Sequence, residues 1–119
     1  MRTEPNMSVE LAKDLIARLR AYFTQKPQVK RVLLFGSHAR GDVTRRSDVD
    51  LLIVVDVPKP YLERLEDFRD LLLSFPESAW DILVWTEEEL LRGRDNPFMR
   101  HVLREGKVIY EREEKHSRG

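Results

Sequence analysis

Cysteine is absent from this 119-residue chain, which excludes disulfide-stapled scaffolds and sites that hold zinc or iron–sulfur clusters through thiolates. Long apolar runs are missing too: no segment approaches the ~20 apolar residues of a membrane-spanning helix, and the polar N-terminus has no apolar signal core. The formal net charge is zero, because 21 basic residues balance 21 acidic ones. Long-range attraction to a polyanion is therefore not expected to drive binding. We expect a soluble, cytoplasmic protein with no membrane contact and no direct nucleic-acid partner.

The length fits a single domain, since domains commonly have about 100–150 residues. We expect one domain over residues 1–110 and a polar C-terminal tail over residues 111–119. Apolar residues at helical spacing predict a helix that Ser8 caps and that ends near Thr24. A second helix is predicted from about Tyr61 to Leu73. Thr86 and Asn96 carry the N-cap signatures of two shorter helices.

Apolar runs indicate the strands of a sheet. They predict strands over residues 32–35, 49–55 and 80–85 and a short edge strand near residues 108–110. A helix between the second and third strands is long enough for the crossover that parallel neighbours need. The first and second strands would instead run antiparallel. The predicted fold is therefore α/β (α+β), with a small mixed sheet flanked by helices.

Two aspartates begin the second strand. Asp48 and Asp50 lie two positions apart, so their side chains are expected on the same face of the sheet. Carboxylates about 4 Å apart repel by roughly 4 kcal/mol at an effective dielectric constant of 20, and a hard divalent cation is the commonest reason to keep such a pair. Oxygen ligands favour Mg²⁺ or Mn²⁺ over zinc. Asp81 begins the third strand and is expected at the same end of the sheet.

A glycine-containing turn follows the first strand. Gly36 permits close backbone approach to a phosphate, and the Ser37 hydroxyl and nearby N–H groups can hold phosphate oxygens. A phosphate-binding turn beside a metal-binding carboxylate pair is what phosphoryl or nucleotidyl transfer requires. The simpler alternatives are a strand-to-helix turn at Gly36, a strand-start cap for the two aspartates of the second strand, and a solvated strand-edge carboxylate for Asp81.

The combined pattern resembles a known family. Gly36-Ser37, ten residues and Asp48-Val49-Asp50 match the signature of the nucleotidyltransferase superfamily related to DNA polymerase β. The surrounding residues look like its minimal nucleotidyltransferase (MNT) branch, in which Asp81 fits the third carboxylate.

The resemblance implies a site and a chemistry. Asp48, Asp50 and Asp81 would be catalytic and would hold two Mg²⁺ ions. Gly36, Ser37 and Arg40 would bind the nucleotide, which is ATP. The acceptor hydroxyl would attack the α-phosphate and release pyrophosphate. Arg40 is equally consistent with a structural role.

The resemblance also implies a partner. A small domain without an added acceptor-binding domain is similar to the MNT antitoxins, which act beside a helical HEPN ribonuclease toxin. The leading interpretation is an antitoxin that transfers AMP from ATP to a tyrosine of such a toxin, within a hetero-oligomer. The alternatives are a non-catalytic antitoxin or scaffold that inhibits its partner by binding, and a nucleotidyltransferase that acts on small molecules.

Overall fold

The structure, a computed structural model, describes residues 4–35, 48–75 and 79–112, and it describes no side chains for residues 4–12, 48 and 79. Helices and strands alternate irregularly along the chain. In order they are α1 (Glu4–Thr24), β1 (Val29–Phe35), β2 (Asp48–Val55), α2 (Tyr61–Glu66), α3 (Arg69–Ser74), β3 (Ala79–Thr86), α4 (Glu87–Arg92), α5 (Pro97–Glu105) and β4 (Lys107–Glu111).

The four strands form one mixed sheet in the order β3-β2-β1-β4. β1 pairs antiparallel with both β2 and β4, whereas β2 pairs parallel with β3. The parallel pair is possible because α2 and α3 provide the crossover between its strands. The mixed sheet, its antiparallel first pair and its parallel second pair confirm the predicted fold class.

Helices cover both faces of the sheet. On one face, Leu51 and Ile53 of β2 pack with Leu19 and Phe23 of α1 and with Phe68. On the other face, a smaller cluster joins alternate residues of β2 to α4 and α5; it contains Leu52, Val54, Leu90, Met99 and Val102. The central position of β2, buried on both faces, explains its continuous apolar run.

The first helix begins earlier than the sequence predicted. α1 starts at Glu4, so Ser8 lies inside the helix and is not its N-cap. Pro5 is compatible with this start, because the first turn of a helix has no intrahelical use for the missing N–H. The predicted end at Thr24 is confirmed. β1 also begins three residues before the predicted start, at Val29.

The single helix predicted between β2 and β3 is wrong: the segment forms two short helices. The chain breaks at Phe68, whose φ of −118° and ψ of 17° are not helical. This break buries Phe68 against Phe23, with 6.2 Å between the ring centroids. The Asp67 carbonyl there accepts a hydrogen bond from Lys26, which lies two residues after the end of α1. Tertiary packing therefore overrides the continuous helical periodicity of this segment.

The two predicted N-caps are confirmed. Thr86 and Glu89 form a capping box at the start of α4, and the Asn96 side chain accepts from the N–H groups of Phe98 and Met99 at the start of α5. β4 ends at Glu111, and Arg112 continues to bond the neighbouring strand by donating its N–H to the Lys30 carbonyl. Within the described part of the chain, no helix is both long and apolar enough to cross a membrane.

Candidate active site

Two aspartates lie side by side at one end of the sheet. Asp50 of β2 and Asp81 of β3 are direct register partners in the parallel pair. Neighbouring strands lie about 4.8 Å apart, and register partners in parallel strands project to the same face. Side chains two positions apart on a strand share a face, so the two aspartates lie on the same face as Leu52 and Leu83. Asp50 is half-buried and Asp81 is exposed, so solvent reaches the pair from the β3 side.

The backbone of Asp48 lies in the same parallel pair of strands, two residues before Asp50. Asp48 is the first residue of β2 and pairs with Ala79. Its side chain is outside the described set, as are residues 36–47, which include the predicted nucleotide-binding residues Gly36, Ser37 and Arg40. The last residue of β1, Phe35, pairs with Asp50. The predicted nucleotide-binding segment therefore follows directly in sequence from a residue that lies beside this aspartate.

The donor set of the described pair fits a hard divalent cation. Asp50 and Asp81 offer only carboxylate oxygens, which Mg²⁺ prefers to nitrogen or sulfur ligands. Among the described side chains, no group of three or more His, Cys, Asp or Glu residues could hold a metal ion. The side chain of Asp48 is not among these described side chains. Of the three predicted metal ligands, the described side chains therefore include two, Asp50 and Asp81, on adjacent strands.

An aromatic contact borders the pair on the β1 side. Phe98, in the first turn of α5, packs edge-on against Phe35 with 6.4 Å between the ring centroids. Phe98 remains 53% exposed, so one side of its ring is open to solvent. Since Phe35 is the register partner of Asp50, it flanks the carboxylate pair on the side opposite β3.

Asp56, the residue that follows β2, lies far from this pair. It follows the opposite end of β2, six residues from Asp50, a separation of about 20 Å along a strand. Its carboxylate pairs with Arg112 at 2.9 Å. This contact joins the end of β2 to the residue after β4 and is structural.

A buried arginine that the sequence did not single out fixes the far end of β3. Arg64 of α2 is 7% exposed and donates two hydrogen bonds to the Glu89 carboxylate, from Nη1 at 2.7 Å and Nη2 at 2.8 Å. Its other donors reach backbone carbonyls, Nε to Lys59 at 2.7 Å and Nη1 to Val84 at 3.1 Å. Arg64 therefore ties α2 to both β3 and α4. The 25-residue separation between Arg64 and Glu89 leaves no local sequence signal for this contact.

This contact changes the acidity of Glu89. The hydrogen bonds from Arg64 lower the pKa of the Glu89 carboxyl from 4.5 to about 2, and the N–H of Thr86 contributes in the same direction. Burial opposes the change by disfavouring the charged form, but it is the smaller effect. Glu89 thus stays ionised throughout the physiological range and serves both as helix cap and as ion-pair partner.

The sequence of the chain places it in a family. Residues 16–110 match the family described as the nucleotidyltransferase domain, so the chain belongs to that family. It is also similar to a protein of Methanocaldococcus jannaschii that is provisionally named a protein adenylyltransferase. The two are 37% identical over 99 residues, which cover 82% of this chain and 93% of the relative. The chain is therefore an enzyme of the nucleotidyltransferase class, as the resemblance in its sequence predicted.

Solved structures have the same fold. A provisionally named nucleotidyltransferase from Sulfolobus solfataricus superposes with a TM-score of 0.58 at 21% identity, covering 94% of this chain and 90% of that one. A toxin–antitoxin structure with AMP-PNP has a TM-score of 0.54 at 21% identity, covering 87% of this chain and 74% of the other. At this identity the likeness establishes the fold alone. It confirms the predicted nucleotidyltransferase fold.

Proposed function

We propose that the chain is a Mg²⁺-dependent protein adenylyltransferase, which transfers AMP from ATP to a tyrosine hydroxyl of a partner toxin of the HEPN class. The observation that carries this proposal is the register pairing of Asp50 with Asp81 near the end of the sheet where β2 and β3 begin. Membership of the nucleotidyltransferase family supplies the reaction class. The provisional name of the 37% identical relative supports a protein acceptor.

Each proposed residue has a distinct role. Asp48 and Asp50 would hold the ion that accompanies the triphosphate, and both with Asp81 would hold a second ion. When bound, these ions offset phosphate charge and lower the pKa of the acceptor hydroxyl. Gly36 and Ser37 would bind the β- and γ-phosphates, with Arg40 opposing their negative charge.

The transfer itself exchanges one bond to phosphorus for another. The acceptor oxygen forms a bond to the α-phosphorus, and the bond from that phosphorus to the oxygen bridging to the β-phosphate breaks. Pyrophosphate leaves with the electron pair of the broken bond. Asp81, which faces solvent at the strand edge, accepts the proton of the hydroxyl. Its exposure suits this role, because an acceptor can approach it without displacing the core.

Toxin–antitoxin structures among the fold neighbours support a toxin as the acceptor. AMP attached to the toxin would then block its ribonuclease activity. Such a pair would work as a hetero-oligomer, with the nucleotidyltransferase as its antitoxin. ATP as the donor is supported by the AMP-PNP bound in one of those neighbours.

The test combines the purified chain with α-labelled ATP, MgCl₂ and a purified HEPN protein encoded beside it. We expect labelled AMP on a tyrosine of that protein, identified by mass spectrometry, and loss of the label with Asp50→Asn. Inhibition of the toxin without any label would instead favour a non-catalytic antitoxin. Labelling of an antibiotic or metabolite without any protein acceptor would favour small-molecule transfer. Either result would overturn the proposal.

A further inference from the structure

The strand that carries Asp81 is at the edge of the sheet. Within residues 4–35, 48–75 and 79–112, β2 is the one strand that pairs with β3. An unpaired strand edge exposes N–H and C=O groups that can bond an added strand, and proteins usually block such edges. The way in which this edge is blocked therefore bears on what it can bind.

α2 contacts the β3 edge near its C-terminal end. Arg64 donates from Nη1 to the Val84 carbonyl, which satisfies a backbone acceptor near that end of β3. Tyr61 lies on the Leu83 side of β3, whereas Leu65 packs into the core on the opposite face. α2 thus crosses from one face to the other near Val84. Residues 79–83, with Asp81 at their centre, precede this crossing.

An apolar groove lies on each face of this strand. The first groove, of about 290 Å³, is the α3 groove, and its apolar lining is Leu65, Phe68, Leu72, Trp80 and Ile82. The second, of about 590 Å³, is the α4 groove, on the face of Asp81, and it is lined by Tyr61, Leu83, Trp85 and Gly93. Gly93 helps to shape the α4 groove, because a Cβ at this position would lie 3.2 Å from the Trp85 ring.

The charged groups at the rims of both grooves are paired within the chain. Glu66 and Arg69 of the α3 groove lie 3.5 Å apart. At the α4 groove, Glu89 is held by Arg64, and Arg92 lies 2.9 Å from Glu88. Neither groove therefore presents a net charge of one sign. Apolar side chains are the partners that such grooves favour.

We propose that the β3 edge binds the acceptor as an extended polypeptide segment, which adds to the sheet beside residues 79–83 and presents its hydroxyl to Asp81. Successive side chains of an extended segment point to opposite faces, so one segment can fill both grooves while its backbone bonds the edge. β1, whose last residue Phe35 comes immediately before the proposed nucleotide-binding residues in sequence, lies on the other side of β2 from β3. This inference rests on the proposed function and specifies how its acceptor is recognised.

Two other occupants fit the geometry less well. A small molecule cannot fill both grooves, because β3 itself separates them. A second copy of this chain that paired through all of residues 79–83 would be centred on Asp81. It would place two carboxylates opposite each other, which is unfavourable between paired strands. A partner polypeptide avoids this repulsion.

The alternation of the segment predicts a sequence preference. With the acceptor tyrosine opposite Asp81, its two immediate neighbours face the α3 groove, beside Trp80 and Ile82. One of the residues two positions away faces the α4 groove, beside Leu83. The probe is a set of nine-residue peptides with a central tyrosine and all other positions varied, incubated with ATP and MgCl₂. We expect the modified peptides to be enriched in apolar residues at these positions.

Matched substitutions test the grooves directly. Leu72→Glu places a charge in the α3 groove, while Leu73→Glu changes the next residue of the same helix, which lies outside that groove. Tyr61→Glu and Leu62→Glu form the same kind of pair at the α4 groove. All four positions are exposed, so folding should be retained. We expect the groove variants to raise KM for the best peptide about tenfold or more, with kcat nearly unchanged, because that is the order expected from one lost apolar contact.

Binding without ATP provides a second readout. The fluorescence anisotropy of the labelled best peptide should show weaker binding to Tyr61→Glu and Leu72→Glu than to the two controls. Equal behaviour within each matched pair, modified peptides with no positional preference, or transfer to small hydroxyl compounds alone would overturn the inference. A dimer that only the groove variants disrupt would overturn it in favour of a second copy.

These results are distinguishable from failure of the proposed function. If neither peptides nor a HEPN protein receives AMP and pyrophosphate is never released, both proposals fail. AMP transfer to a folded protein that is insensitive to both groove substitutions leaves the proposed function intact and removes this inference alone.

Discussion

Arg64 and Glu89 form a two-pronged ion pair, with nitrogen–oxygen distances of 2.7 and 2.8 Å, between the crossover segment and the helix that follows β3. The Arg64 side chain is almost fully buried, and its remaining bonds go to backbone carbonyls of Lys59 and Val84. Removing its carboxylate partner would leave a buried charge with only backbone carbonyls to bind, which is far more costly than losing a surface pair.

Glu89→Gln should therefore destabilise the protein strongly. We expect a loss of roughly 3 kcal/mol in the free energy of unfolding, measured by urea denaturation. Glu88→Gln is the matched control, because Glu88 lies one residue away and pairs with Arg92 on the surface. It should change stability by no more than about 0.5 kcal/mol. Similar losses for both variants would show that the Arg64 contact has no special importance.

The same pair should make stability depend on pH in the acid range. The pKa of Glu89 is lowered in the folded state to about 2 from 4.5. Its stabilising contribution is then complete above about pH 4.5 and is lost as the pH falls towards 2, because the unfolded chain binds the proton first. The stability difference between the wild type and Glu89→Gln should shrink over this interval. Denaturation at a series of pH values measures it, and a constant difference would contradict the assignment.

Replacing Asp50 or Asp81 by asparagine should affect different steps, ATP binding in the first case and AMP transfer in the second. Asp50→Asn should weaken Mg²⁺-dependent ATP binding, measured by calorimetry, because Asp50 is proposed to hold the ion that accompanies the triphosphate. Asp81→Asn should keep ATP binding but lower the rate of AMP transfer on the order of 100-fold or more. Asp56→Asn, at the opposite end of β2, is the control and should change neither. Normal transfer by Asp81→Asn would remove Asp81 from the mechanism.

Gly106 ends α5 at a point where a side chain does not fit. A Cβ at this position would lie 2.7 Å from the Val102 carbonyl oxygen, a backbone atom that cannot move without distorting the helix. Gly106→Ala should therefore lower the thermal midpoint and cost about 1–3 kcal/mol of stability. Gly93→Ala should cost less, because its closest contact is the Trp85 ring at 3.2 Å. The reverse order of the two midpoints in calorimetry would contradict this explanation.

The parts of the fold that follow from local pattern were predictable. Apolar runs identified the strands, and the length of the crossover placed Asp81 beside Asp50, because a parallel pair brings the starts of its strands together. The break at Phe68 was not predictable, since it depends on packing against Phe23, which is far away in the chain. The Arg64 contact was missed for the same reason. Both grooves also arise from residues that only the folded sheet brings together.

The antiparallel pairing of β4 with β1 has a consequence for protein synthesis. β1 gains its second neighbour only from residues 107–111, which the ribosome makes long after β1 and β2. Until then, β1 has no partner on the side where Val32 later pairs with Tyr110 and Leu34 with Lys107. A sheet that formed before residues 107–111 were made would have β1 as well as β3 at an edge, and unpaired edges of this kind favour aggregation.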